Sequence, residues 1–216
     1  MLAVAGGKGG VGKTTTVLGL AAALPGQPLT VDTDRDMPDL HRLAAVDRKP
    51  GLDAIAPENT HTVDTVSQLA SDFDCRVIAA PETDQTRADC LLANVERSST
   101  ETAGPVLLDT PAGASVDAAA PLRVADDVLL VSTACAPALR DAAKTASMAR
   151  AVGTAVVGVL LTRTVARPPG VEELLGCPVL GCIPDESGRP LSTRRVRARY
   201  EAAASRLRST VWESDI

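Results

Sequence analysis

Aromatic side chains are almost missing from this sequence: Phe73, Tyr200 and Trp212 are the only three in 216 residues. A core without them has to be built from Ala, Val and Leu. That suits strands buried on both faces and helices lined with small residues. Lysine is nearly as scarce. Four of the 22 basic residues are Lys and 18 are Arg, while Asp outnumbers Glu by 18 to nine. Salt-adapted proteomes and GC-rich genomes share that bias. The net charge of −5 excludes a globally basic nucleic-acid binder but not a local basic patch. No apolar run approaches the ~18 residues of a membrane span. Cys75, Cys90, Cys135, Cys177 and Cys182 form no CxxC pair, and Cys177 and Cys182 do not have a usual zinc spacing. With no signal-peptide pattern ahead of the first glycines, the expectation is a cytoplasmic protein whose thiols are buried and reduced.

What is present is an alternation. Short apolar runs read as strands at Leu2–Ala5, Leu29–Val31, Arg76–Ala80, Val106–Leu108, Val128–Ser132, Val156–Leu161 and Val179–Cys182. Lys13–Leu24 and stretches within 62–70, 84–97, 138–151 and 194–211 read as helical. This alternation predicts an α/β fold in three layers, a mostly parallel sheet with helices on both faces. The length and the lack of any linker predict one domain over residues 1–216. Several strand runs close on polar residues (Asp32, Asp109, Thr162), at the carboxyl ends where such folds bind ligands.

The first such end carries the strongest signal. Gly7-Lys8-Gly9-Gly10-Val11-Gly12-Lys13-Thr14-Thr15 matches GxxxxGK[ST] between a strand and a helix. The glycines let backbone N–H groups turn toward phosphate oxygens, and the helix presents its positive end to the same anion. Lys13 brings a charge to the terminal phosphates, and Thr14 offers a hydroxyl to Mg²⁺. Val31-Asp32-Thr33-Asp34 and Leu108-Asp109-Thr110-Pro111-Ala112-Gly113 add carboxylates that can hold Mg²⁺ or orient a water. An Asp after a strand can also simply cap the next turn.

With Lys8 in place the loop reads KGGVGKTT, and the sequence resembles the deviant P-loop ATPases of the MinD/ParA superfamily. The DxD at Asp32–Asp34 and the D-T-P-A-G turn at Asp109–Gly113 are similar to MinD-like members. The resemblance implies a P-loop NTPase fold, ATP and Mg²⁺ as ligands, slow hydrolysis and ATP-driven homodimerisation. It implies Lys8 reaching the partner's nucleotide, Lys13 on the phosphates and Asp34 positioning the hydrolytic water with support from Asp32. It also implies Thr14 and Asp109 around the metal and Gly113 in a γ-phosphate switch. Ala80–Arg87, Leu139-Arg140-Asp141-Ala142, Val159–Arg163 and Leu180–Asp185 continue the likeness in order. Through them Thr162, Arg163 and Pro184 are expected at the base, with Thr162 standing where many members carry Asn. ATP is favoured over GTP. The stretch between 35 and 75 is shorter than usual, and its His41 and His61 read as surface residues.

The helix at 194–211 carries an apolar stripe (Val196, Tyr200, Ala203, Leu207, Val211) flanked by Arg194, Arg195, Arg197, Arg199, Arg206 and Arg208. A docked terminal helix with solvated arginines is the favoured reading. A DNA-phosphate patch of the ParA kind and a membrane-surface helix of the MinD kind are the alternatives, neither favoured. An activating or cargo protein is expected and its identity is open.

Overall fold

The structure is a computed structural model that describes residues 1–56, 61–82, 88–99, 104–113 and 115–211. In chain order it contains β1 (Leu2–Ala5), α1 (Lys13–Ala21), β2 (Leu29–Asp32), α2 (Leu40–Leu43), α3 (Val63–Val66), β3 (Gln68–Ala70), β4 (Cys75–Ile78) and α4 (Ala88–Ser99). There follow β5 (Val106–Asp109), α5 (Val116–Val124), β6 (Asp127–Thr133), α6 (Ala136–Ala151), β7 (Ala155–Thr162), α7 (Val171–Leu175), β8 (Val179–Ile183) and α8 (Arg194–Val211). The strands form one sheet in the order β3-β4-β2-β5-β1-β6-β7-β8. Every neighbouring pair is parallel except β3 with β4.

The first strand shows why the fold forms. All four residues of Leu2-Ala3-Val4-Ala5 are buried, because β1 lies between β5 and β6 and is covered on both faces. Alternation then divides them. Ala3 and Ala5 join the layer containing Leu91, Leu122, Ala142 and Leu175 from α4, α5, α6 and α7. Leu2 and Val4 join the layer containing Val17 and Leu20 of α1 and Val196, Tyr200 and Leu207 of α8. The stripe on α8 is therefore the docked face that its spacing predicts. The Tyr200 ring fits because residue 19 is glycine: a Cβ there would stand 2.5 Å from Tyr200 Cδ2. Its hydroxyl lies 3.2 Å from that of Thr16.

The structure departs from the sequence expectation in several places. α1 ends at Ala21, and the chain to Leu24 continues as hydrogen-bonded turns. Residues 62–70 are not one helix. α3 is a single turn, after which Ser67 goes extended (ψ 142°) and β3 pairs antiparallel with β4. The Arg76 side chain enforces this break, donating to the Ser67 hydroxyl, the Ser67 carbonyl and the Asp64 carbonyl. α5 and α7 arise without a prior expectation; α5 carries Pro121 inside it, and its N-terminus is capped by the Ser115 hydroxyl accepting from Ala118 N–H at 3.1 Å. Only Cys75 and Cys177 are buried, whereas Cys90 and Cys135 are exposed because they lie on solvent-facing helix and loop positions. His61 is exposed, but His41 is half-buried with Nδ1 enclosed and unpartnered among the described residues. Trp212 and Thr83–Arg87 lie outside the described residues.

Candidate functional site

The glycine loop leaves the carboxyl end of β1. Its backbone presses onto α6: a Cβ on Gly7 would stand 2.2 Å from the Asp141 carbonyl oxygen. Gly12 caps α1 in the left-handed region (φ 94°), and its carbonyl accepts Thr16 N–H at 2.9 Å. The first turn of α1 contains no acidic residue, so the helix itself places no carboxylate at its positive end. Lys13 is 8% exposed, while Lys8, Gly9 and Gly10 stand in solvent. Two neighbours at the end of β7 grip the loop from the side. Thr162 donates its hydroxyl to the Val11 carbonyl at 2.7 Å, and Arg163 donates from Nη2 to the Gly10 carbonyl at 2.8 Å. Arg163 adopts φ 55°, an uncommon setting for a non-glycine residue.

The two acidic strand ends are Cα partners, Asp32 on β2 beside Asp109 on β5. Burial pushes the Asp109 carboxyl up to about 7, against a hydrogen bond from Thr14 and the nearby charge of Lys13. Its Oδ1 is enclosed and has no hydrogen-bond partner among the described residues. Burial, then the charge of Asp109, pushes Asp32 up to about 8. Both Asp32 oxygens are occupied, Oδ1 by Asp34 N–H at 2.9 Å and Oδ2 by Leu40 N–H at 3.2 Å. Asp32 thus braces the turn that presents Asp34, which is half-exposed and accepts Met37 N–H at 3.0 Å. The same strand ends are laced together by hydroxyls. Thr33 donates to the Asp109 carbonyl at 2.7 Å and Thr110 to the Val4 carbonyl at 3.0 Å. Gly113 ends the later turn at φ 93°.

An unpartnered, buried carboxylate oxygen next to a threonine hydroxyl suits a hard cation. Among the described residues no group of three or more His, Cys, Asp or Glu could hold a metal. Mg²⁺ does not need one, since it is commonly held by one or two protein oxygens with substrate phosphates and waters. Thr14 and Asp109 therefore fit Mg²⁺ bound together with a phosphate ligand.

Beside the loop lies an open groove lined by Val11, Gly12, Thr15, Thr162, Arg163, Ile183, Pro184, Asp185, Glu186, Pro190 and Tyr200. The fold thus brings Thr162, Arg163 and Pro184 together next to the loop. It also directs the Thr162 hydroxyl away from the groove, into the loop backbone. Sequence reading missed the bracing roles of Thr33 and Thr110, because their partners lie 76 and 106 residues away. Asp185, the last residue of the Leu180–Asp185 turn expected beside the base, lines the groove, and so does Glu186, which the sequence reading did not include.

Residues 2–192 match the CobQ/CobB/MinD/ParA nucleotide binding domain. The chain belongs to that family. It carries the family's nucleotide binding domain, with the glycine loop of the P-loop pattern between β1 and α1. An uncharacterized ATP-binding protein of Methanocaldococcus jannaschii is 31% identical over 168 residues, 76% of this chain and 64% of that protein's length. The chain therefore spans less than two thirds of that relative. A putative septum site-determining protein MinD of Chlorella vulgaris is 27% identical, with 90% of this chain and 75% of the relative covered. The fold superposes on the Pyrococcus horikoshii septum site-determining protein MinD complexed with Mg-ADP, with a TM-score of 0.79 at 19% identity over 100% of this chain and 98% of that one. Among the described residues no helix is long and apolar enough to cross a membrane.

Proposed function

We propose that this chain, acting as one ATPase unit over residues 1–216, binds Mg-ATP, dimerises on it and hydrolyses it slowly, as a MinD-like switch in the spatial organisation of cell components. The observation that carries this reading is a convergence. The N-terminus of α1, the nearly buried Lys13, the Thr14 hydroxyl and the unpartnered Asp109 oxygen all meet at one loop. Mg²⁺, when bound, neutralises charge on the terminal phosphates. Thr14, through its hydroxyl, and Asp109, through its unpartnered oxygen, are the residues that would hold it. Lys13 stabilises the charge that grows on the transferred phosphoryl group. Asp34, on the turn fixed by Asp32, orients the attacking water, and little further acid–base chemistry is required. Lys8 stands in solvent at the loop, a placement that supports a role across a dimer interface. Gly113 follows the Asp109 strand end closely enough to sense the terminal phosphate.

The test is phosphate release by purified protein with ATP and Mg²⁺, at low and at high salt, together with its mass by light scattering. Wild type is expected to release phosphate slowly. Lys13→Ala abolishes release, and Asp34→Ala accumulates as an ATP-bound dimer. Wild type that releases no phosphate at either salt would end the enzyme reading and leave a nucleotide-gated binding module. The exposed arginines of α8 (Arg194, Arg195, Arg197, Arg199) favour a second reading, a ParA-type ATPase that partitions DNA. ATP-dependent, salt-sensitive DNA retention distinguishes it. Burial of Val196, Tyr200, Ala203 and Leu207 leaves α8 without an apolar face for a membrane surface. The activating or cargo protein, like the cytoplasmic setting, belongs to this proposal.

A further inference from the structure

A threonine inside a helix has an acceptor close at hand, the carbonyl four residues back. This chain uses that acceptor in other helices. Thr145 of α6 donates to the Asp141 carbonyl at 3.2 Å, and Thr210 of α8 donates to the Arg206 carbonyl at 2.9 Å. For Thr16 of α1 the carbonyl four back belongs to Gly12, which accepts Thr16 N–H at 2.9 Å. The Thr16 hydroxyl goes elsewhere. It pairs with the Tyr200 hydroxyl of α8 at 3.2 Å, across 184 positions of sequence.

The choice matters because of what Gly12 is. It is the cap of α1, at φ 94°, and no side chain caps the helix in its place. A hydroxyl drawn onto a helix carbonyl competes with the backbone bond there and bends the helix. In α1 the bend would fall on the first turn, where the N–H groups ahead of Thr16 have no helical acceptor and are free to meet an anion.

Tyr200 is held firmly enough to prevent this. Thr16 is 0% exposed and Tyr200 2%. The ring lies against the backbone of α1 at Gly19. Val196, Ala203 and Leu207 bury the same stripe of α8, and Arg206 ties the helix to the Leu180 carbonyl at 2.6 Å. Burial pushes the phenol up to about 12, so near neutral pH it remains an uncharged hydroxyl.

We propose that Tyr200 is a positioning residue for the phosphate loop: its hydroxyl engages Thr16 and keeps it off the Gly12 carbonyl, so that the first turn of α1 meets a phosphate unbent. The inference rests on the reading of the loop as a nucleotide site. It goes beyond that reading by giving α8 a part in nucleotide affinity.

The experiment titrates the full chain and its variants with Mg-ADP by calorimetry and records the urea midpoint of each; the diphosphate keeps hydrolysis out of the measurement. Tyr200→Phe keeps the ring and removes only the hydroxyl. Its dissociation constant is expected to rise by about fivefold to tenfold, the worth of one hydrogen bond. Adding Thr16→Val removes the group that would turn onto Gly12. The double variant is expected to return to within about twofold of wild type, since both partners are then apolar. Adding Thr16→Ser instead keeps a hydroxyl at that position, and binding should stay weak. A role in packing alone would lower the urea midpoint of Tyr200→Phe without any rescue of affinity by a second substitution. An unchanged constant in Tyr200→Phe, no rescue by Thr16→Val, or equal rescue by Thr16→Ser overturns this inference alone. Wild type that binds no Mg-ADP overturns the functional reading and this inference together.

Discussion

Alanine at three glycines of the same loop should give three different results, each for a separate reason. At Gly7 the obstacle is close approach. A Cβ there would stand 2.2 Å from the Asp141 carbonyl oxygen and 2.3 Å from its carbon, over 1 Å inside an ordinary contact of about 3.5 Å. Both are backbone atoms of α6, a 16-residue helix whose Ala142, Ala146 and Ala149 are fully buried, so they cannot swing aside. The loop must move instead, at a cost of ~3 kcal/mol, the upper end for overpacking. At Gly12 there is room, since the nearest atom is 3.6 Å away, but φ is 94°. An alanine held there costs ~1–2 kcal/mol. At Gly9 no atom lies within 4 Å and φ is not in the left-handed region, so alanine changes stability by under ~0.5 kcal/mol. Urea denaturation followed by far-ultraviolet circular dichroism should rank the variants Gly9→Ala, Gly12→Ala, Gly7→Ala from most to least stable. Repeating the series with Mg-ADP adds a second measure. Ligand stabilisation follows RT ln(1 + [L]/Kd) and should shrink most in Gly7→Ala, whose loop has left α6. Equal midpoints for Gly7→Ala and Gly9→Ala would refute the argument that α6 sets the position of the loop.

Thr162→Val keeps the shape of the side chain but removes the donor 2.7 Å from the Val11 carbonyl. With both residues buried, the urea midpoint should fall by the equivalent of ~1–3 kcal/mol, and a change within error would show that the bond carries no weight. Stability of the ligand-free protein should also fall as pH rises. Asp32 moves from 3.8 when unfolded to about 8 when folded, so between those values the folded chain holds more protons. The contribution is complete below about 4 and is lost as pH climbs through 8. Asp109, pushed up to about 7, acts with the same sign. Urea midpoints from pH 5 to 8 should decline in wild type and decline less steeply in Asp32→Asn; parallel slopes would remove Asp32 from the account.

The sequence revealed those parts of the fold whose cause is local. β1, the loop and the start of α1 could be read directly, because an apolar run, four closely spaced residues of fixed type (Gly7, Gly12, Lys13 and Thr14) and a helix start occupy 20 consecutive positions. The layered parallel sheet could be read because strand and helix lengths alternate throughout. Residues 62–70 could not, since their strand exists through antiparallel pairing with β4 and the grip of Arg76, neither of which has a periodic signature. α7 was illegible for a related reason: it is five residues long, and its C-terminal carbonyls are satisfied by Arg150 of α6, which donates to Leu175 at 2.7 Å and Gly176 at 3.0 Å. In the site, residue types were legible and directions were not. Thr162 was expected at the base through its strand-end position, but nothing in the sequence said that its hydroxyl would turn to the Val11 carbonyl.

That direction has a consequence for the phosphates. A trans peptide is planar, so its carbonyl and the following N–H point in opposite directions. The loop peptides are all trans, the cis bond being Lys49–Pro50. When Arg163 draws the Gly10 carbonyl toward β7, the Val11 N–H is turned away from β7. When Thr162 draws the Val11 carbonyl the same way, the Gly12 N–H is turned with it. Two consecutive donors are thus oriented before any anion arrives, and two carbonyl oxygens that would repel it are held outside. On the proposed function, the end of β7 would thus act on the phosphate end of a nucleotide as well as on its base. Thr162→Val should accordingly weaken Mg-ADP binding in calorimetry, and an unchanged dissociation constant would refute the pre-orientation of these two donors.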